Sequence, residues 1–158
     1  MPRVTPSDNF VSELDTTIHE PPLETAGEGE MLLFALERSR AQFAWKVGGF
    51  DAAGLRQAFP PSTMMLAGLI KHVALCEDSK TAGFVTGEPL GAPWGRVLAD
   101  GGLDQLSKFT FQGESPNLRR ILVDLHDEYA RHVGHADLFR EAVDGLVGED
   151  PPQPSGEG

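Results

Sequence analysis

Three side chains in two stretches of this sequence have the types and spacing of a metal site. Glu128 and His132 are four residues apart. On a helix, residues i and i+4 lie one above the other, so this carboxylate and this imidazole point to one place. Leu118, Ile121, Leu122, Leu125, Tyr129, Ala136 and Phe139 recur as an apolar stripe around them. At 100° per residue, His132 falls within that stripe, and Glu128 and His135 fall at one edge. A carboxylate turned toward a core without a partner is costly. A divalent metal removes the cost, because it neutralises the carboxylate and takes a lone pair from neutral His. His72, at the edge of the apolar face of an earlier helix, offers a third donor, and facing helices of a bundle build such sites. Three protein ligands with open positions are the pattern of a catalytic metal rather than a closed structural one.

Each residue also has a simpler role. His72 could bond a backbone carbonyl at the core edge. Glu128 could pair with Arg131 or His132 on the helix surface. His135 is either a reserve ligand or an outer-shell hydrogen-bonding residue. Cys76, one turn after His72, either turns its thiol to the same cavity or serves as a small apolar core residue. His126 falls off the stripe and reads as surface, and His19 lies in a polar arm. Trp45 and Trp94 read as packing residues. No nucleophile elbow, P-loop or dinucleotide-binding glycine fingerprint occurs.

The elements that must position these groups follow from periodicity. Leu32, Leu33, Leu36, Phe43 and Val47 recur at three- and four-residue steps, which predicts a first helix over 28–47 ended by Gly48-Gly49. Asp51 caps a short helical turn reaching Ala58, stopped by Pro60-Pro61. Ser62 or Thr63 is the expected N-cap of a second helix, with Met65, Leu66, Leu69, Ile70, Val73 and Cys76 inward, running to about Ala82. Residues 88–116 are rich in Gly and Pro. They are expected to hold only short helical pieces, around 96–99 and 104–108, and an extended piece, Phe109-Thr110-Phe111. Ser115-Pro116 then reads as the start of the last helix, an N-cap hydroxyl followed by Pro, and Gly145 as its end.

Length and charge bound the class. The chain has 158 residues, enough for one domain with a real core. Its organisation reads as a mobile arm over 1–27, a helical domain over 28–147 and a disordered acidic tail over 148–158. With 13 Lys+Arg against 24 Asp+Glu, the net charge is −11. That excludes general nucleic-acid binding, which needs clustered cations, and disfavours an anionic membrane surface. A single Cys cannot form an internal disulfide, which suits a reducing compartment. No apolar run approaches the roughly 20 residues of a membrane span. Met1-Pro2-Arg3-Val4-Thr5-Pro6 lacks the apolar core of a signal peptide, so the expected location is cytoplasmic.

Two stretches carry a family resemblance. The first is Pro60-Pro61-Ser62-Thr63-Met64 through Gly68-Leu69-Ile70-Lys71-His72-Val73-Ala74, then Glu77-Asp78. The second is Ser115-Pro116-Asn117-Leu118-Arg119-Arg120-Ile121-Leu122-Val123, then Glu128-Tyr129-Ala130-Arg131-His132-Val133-Gly134-His135-Ala136-Asp137. Over roughly 30–150 the chain resembles the DinB-like superfamily, in its actinobacterial branch related to mycothiol-dependent metalloenzymes. The resemblance implies an all-α, up-down antiparallel four-helix bundle holding a divalent metal, zinc or nickel. It implies ligands from one His on the second helix and a pair one turn apart on the last. His72 matches the first, and Glu128 with His132 match the pair. It implies an enzyme in which the metal activates a small-molecule thiol, mycothiol or bacillithiol, for transfer to an electrophile or for isomerisation; thiolate, not thiol, is the nucleophile.

The chain also departs from that pattern. Where relatives have a long third helix, it has only Pro93-Trp94-Gly95-Arg96-Val97-Leu98-Ala99-Asp100. Ser79-Lys80-Thr81-Ala82-Gly83 replaces aromatic residues, and Asp124 stands where relatives usually place a His. A bundle short of one helix leaves an apolar groove, and a homodimer would fill it. The alternative function is therefore a non-catalytic helical interaction module, a remnant that keeps the ligand residues and dimerises through the groove.

Overall fold

The computed structural model of the chain describes residues 16–86 and 102–154. Within them lie α1 (Glu28–Val47), α2 (Ala52–Leu55), α3 (Leu66–Asp78), which continues as a π-helical run over Ser79–Thr86, and α4 (Leu118–Asp144). The described residues contain no strand, only the isolated bridges Leu106–Asn117 and Phe111–Glu114. The shortened all-α bundle expected from the sequence is the observed class.

Local chemistry sets the ends of these elements. The Gly27 N–H donates to the Glu30 carboxylate at 2.8 Å, and Glu28 and Glu30 in the first turn of α1 favour its positive end. The Asp51 carboxylate accepts from the Ala53 and Gly54 N–H groups and starts α2. Neither Ser62 nor Thr63 caps α3. The Ser62 hydroxyl instead accepts from the Met64 N–H at 3.1 Å, and the helix begins after Met65. The cap of α4 is Asn117 rather than Ser115, its side chain accepting from the Arg120 N–H at 2.9 Å. Gly145, at φ 79°, ends α4 in the left-handed conformation that glycine adopts without strain. The helical piece expected over 104–108 is absent. The Ser107 N–H donates to the Pro116 carbonyl and the Lys108 N–H to the Phe84 carbonyl, both at 2.8 Å, so neither serves a helical turn. The piece expected at 96–99, Trp94 and the shortened stretch 93–100 lie outside the described residues.

The ion pairs fix the helix directions. Arg119 at the start of α4 holds Glu28 at the start of α1, and Lys46 near the end of α1 holds Asp137 far along α4. Phe43 meets Tyr129 between them, edge to face at 6.0 Å. So α1 and α4 run parallel. The antiparallel arrangement holds for α3 against α4: His72 lies at Glu128 and His132, whereas Lys80 and Phe84, further along, line one cavity with Arg120, Ile121 and Asp124.

The stripes read from the sequence form one core. Leu36 and Phe43 of α1, Leu66, Leu69 and Val73 of α3, and Leu118, Ile121, Leu122, Leu125, Tyr129, Val133, Ala136 and Phe139 of α4 are all buried together. Each fully buried leucine contributes about 1.5–3 kcal/mol. Glu77 of α3 accepts hydrogen bonds from Arg40 of α1 and from the Tyr129 hydroxyl of α4, joining all three helices by one carboxylate. Residues 148–150 lie beside α1: Lys46 donates to the Gly148 carbonyl at 2.6 Å, and Arg38 pairs with Asp150 at 2.6 Å and with Glu149 at 3.0 Å.

Candidate metal centre

The Glu128 carboxylate is the meeting point. It projects from the middle of α4, where the continuous apolar stripe leaves the helix no freedom to rotate about its axis. One of its oxygens, Oε2, lies 3.4 Å from His132 Nε2, one turn along the same helix. The same oxygen lies 3.4 Å from His72 Nε2, brought across from α3. The His72 and His132 rings stand edge to face at 4.8 Å. One donor atom from each of the three residues falls within 4.8 Å of the other two. A tetrahedral ion with bonds of about 2.1 Å keeps its donors roughly 3.4 Å apart. Two imidazoles and one carboxylate at these separations therefore fit a divalent ion of the zinc type.

The burial is graded. The His132 side chain is 12% exposed, Glu128 23% and His72 49%. The site opens on the His72 side. His135 does not join the three donors, but its Nδ1 lies 3.2 Å from His132 Nδ1. With Nε2 of His132 facing the donor cluster, its Nδ1–H is left to donate to His135, which is the arrangement of an outer-shell partner. Cys76 faces the donor cluster rather than the core. It is half-buried, with Sγ 3.5 Å from His72 Nε2. His126 is partly exposed, and His19 is exposed.

Electrostatics agree with the geometry. Burial pushes the Glu128 carboxyl up, but the hydrogen bond with His72 and the charges of Lys80, Arg131 and His132 outweigh it and hold the group below its ordinary value. Burial, then the neighbouring His72, pushes His132 down, against the pull of Glu128. A carboxylate kept ionised beside an imidazole kept neutral is the protonation state a cation needs. Burial and the Glu128 charge raise the Cys76 thiol, with Lys80 opposing. Lys80 was not among the residues singled out from the sequence. Its only signal there is its place two turns after His72.

The comparisons with known proteins bear on the helix that carries two of the three donors. Residues 92–145 match the family model described as mycothiol-S-transferase. Over that stretch the chain is similar to a DinB-like family. The mycothiol-S-transferase match spans all of α4, so it contains Glu128, His132 and His135 and stops short of His72. No curated protein and no solved structure matches the chain.

Proposed function

We propose that this protein binds a divalent metal through His72, Glu128 and His132 and transfers a low-molecular-weight thiol of the mycothiol type to an electrophile. What supports the reading above all is the convergence of three donors from two helices on one point. The mycothiol-S-transferase match over α4 supports the choice of thiol. A divalent ion in this place favours thiolate over thiol near neutral pH.

The residues of the chain do the rest. Glu128 and His132 form the fixed side of the centre, because both stand on α4 with its stripe buried. His72 forms the side open to solvent, where a thiol and its acceptor can enter. His135 orients the His132 ring. In the transfer, the thiol loses its proton to solvent, its sulfur bonds the electrophilic carbon, and the leaving group departs with the bonding pair. No helix among the described residues is long and apolar enough to cross a membrane, and we place the activity in the cytoplasm.

The test is elemental analysis of the untagged protein beside His132→Ala, followed by a thiol-transfer assay. One divalent ion per chain, absent from the variant, with metal-dependent consumption of thiol and electrophile is the expected result. Bound metal without turnover removes the transferase part. The rival reading, a non-catalytic helical module completed by a second copy of itself, predicts an obligate homodimer whose melting is indifferent to chelator.

A further inference from the structure

The seam between α3 and α4 does not end at the three donors. His72, Cys76, Lys80 and Phe84 follow one another at four-residue steps along α3 and its π-helical extension. His132, Glu128 and Asp124 descend α4 opposite them. At the far end of this seam lies a cavity of about 420 Å³ whose lining includes Lys80, Phe84, Phe109 and Phe111. That volume is within the range of small-molecule sites. Phe84 and Phe109 stack face to face at 4.2 Å and 9°, a two-ring stack in the cavity lining. Phe109 and Phe111 stay 38% and 64% exposed. Aromatic surface left open beside a cavity is suited to an aromatic ligand.

The charges of the cavity are unequal in availability. Arg120 and Asp124, both in the lining, are paired with each other at 2.8 Å, and Glu114 adds one exposed carboxylate. Lys80 stands on the side of the donor cluster, near enough for its charge to act on both Cys76 and Glu128. It lies eight residues past His72, about 12 Å along the helix. We infer that this groove seats an aromatic ligand bearing one anionic group, with its ring against the Phe84–Phe109 stack and its anion on Lys80. In the transferase this ligand is the electrophilic partner. That role rests on the proposed function, whereas the binding itself does not.

The probe is 2-naphthoate, with neutral 2-naphthamide as its uncharged counterpart, titrated calorimetrically into the full chain. Lys80→Met weakens naphthoate about tenfold, as expected for loss of one charge-assisted hydrogen bond, and leaves naphthamide unchanged. Phe84→Leu weakens both. Circular dichroism checks the fold, and the Lys80→Met variant carries the test if Phe84→Leu does not fold. Equal naphthoate affinity in wild type and Lys80→Met, or no binding by the wild type at millimolar probe, overturns the inference. Metal content of the same samples separates the two ideas. Metal without Lys80-dependent naphthoate binding sinks the groove alone; Lys80-dependent binding without metal upholds the groove and sinks the metal centre.

Discussion

His72 and Glu128 are 56 residues apart in the chain, yet His72 Nε2 lies 3.4 Å from Glu128 Oε2. Their contact joins α3 to α4 at the point where His132 also arrives. If Glu128 is a ligand, Glu128→Gln keeps the shape of the side chain and removes its charge. Metal affinity then falls by more than the roughly 10–100-fold that loss of an outer-shell partner costs. Competition against a chromogenic chelator measures it, and an unchanged affinity would exclude Glu128 from the centre.

His135 makes a different prediction from the three donors. It touches His132 through the ring nitrogen that faces away from Glu128. His135→Ala is expected to lower affinity by roughly 10–100-fold while one ion still binds per chain at saturation. Loss of stoichiometric binding would promote His135 to a ligand.

Glu77 carries a structural prediction. Its carboxylate receives Arg40 from α1 and Tyr129 from α4, with the Arg40 and Glu77 side chains 18% and 25% exposed. Burial and the hydrogen bond to Glu77 raise the Tyr129 phenol, so it stays protonated and donates. Glu77→Gln removes one of the two carboxylates paired with Arg40, with Glu37 remaining on its Nη1. The cost is about 2–3 kcal/mol, below the figure for a fully buried pair because both groups retain some solvent. Tyr129→Phe costs about 1–2 kcal/mol. Urea denaturation measures both, and a loss below about 0.5 kcal/mol for Glu77→Gln would count against the clamp.

Asp150 makes stability depend on pH. The hydrogen bond from Arg38 holds its carboxyl below the ordinary aspartate value of 3.8, helped by Gln42 and opposed by burial. A lowered folded-state value means the unfolded chain binds the proton more readily. The contribution is therefore complete above 3.8 and disappears as pH falls through the lower folded value. Arg38 and Asp150 are each 34% exposed, so the pair is worth less than about 1 kcal/mol. Asp150→Asn is expected to melt below the wild type at pH 7 and together with it in strong acid. A difference that persists in acid would assign the effect to something other than the carboxylate charge.

Helix existence was legible because it depends on local pattern. The stripe from Leu118 to Phe139 and the glycines at 48 and 145 place α1 and α4 with little reference to the rest of the chain. Helix starts were less legible, because Ser62, Ser115 and Asn117 are all competent caps. The choice among them depends on where neighbouring carbonyls lie. Pro116 and Phe84 take the N–H groups of Ser107 and Lys108 for the same reason. Composition over 148–158 predicts little fixed structure, and the partners that Arg38 and Lys46 offer to residues 148–150 belong to α1, more than 100 residues away.

The sequence by itself determined the all-α class, the apolar faces and the placement of Glu128 one turn before His132, because all three follow from a 3.6-residue period. Only the tertiary structure decided that His72 shares their space, that Cys76 turns to the site rather than the core, and that His135 backs His132 instead of facing the donor cluster. The reason is physical. Helical periodicity sets which side of a helix a group occupies. The axial register of α3 against α4 is set by packing and by contacts such as those of Glu77, which no local pattern contains.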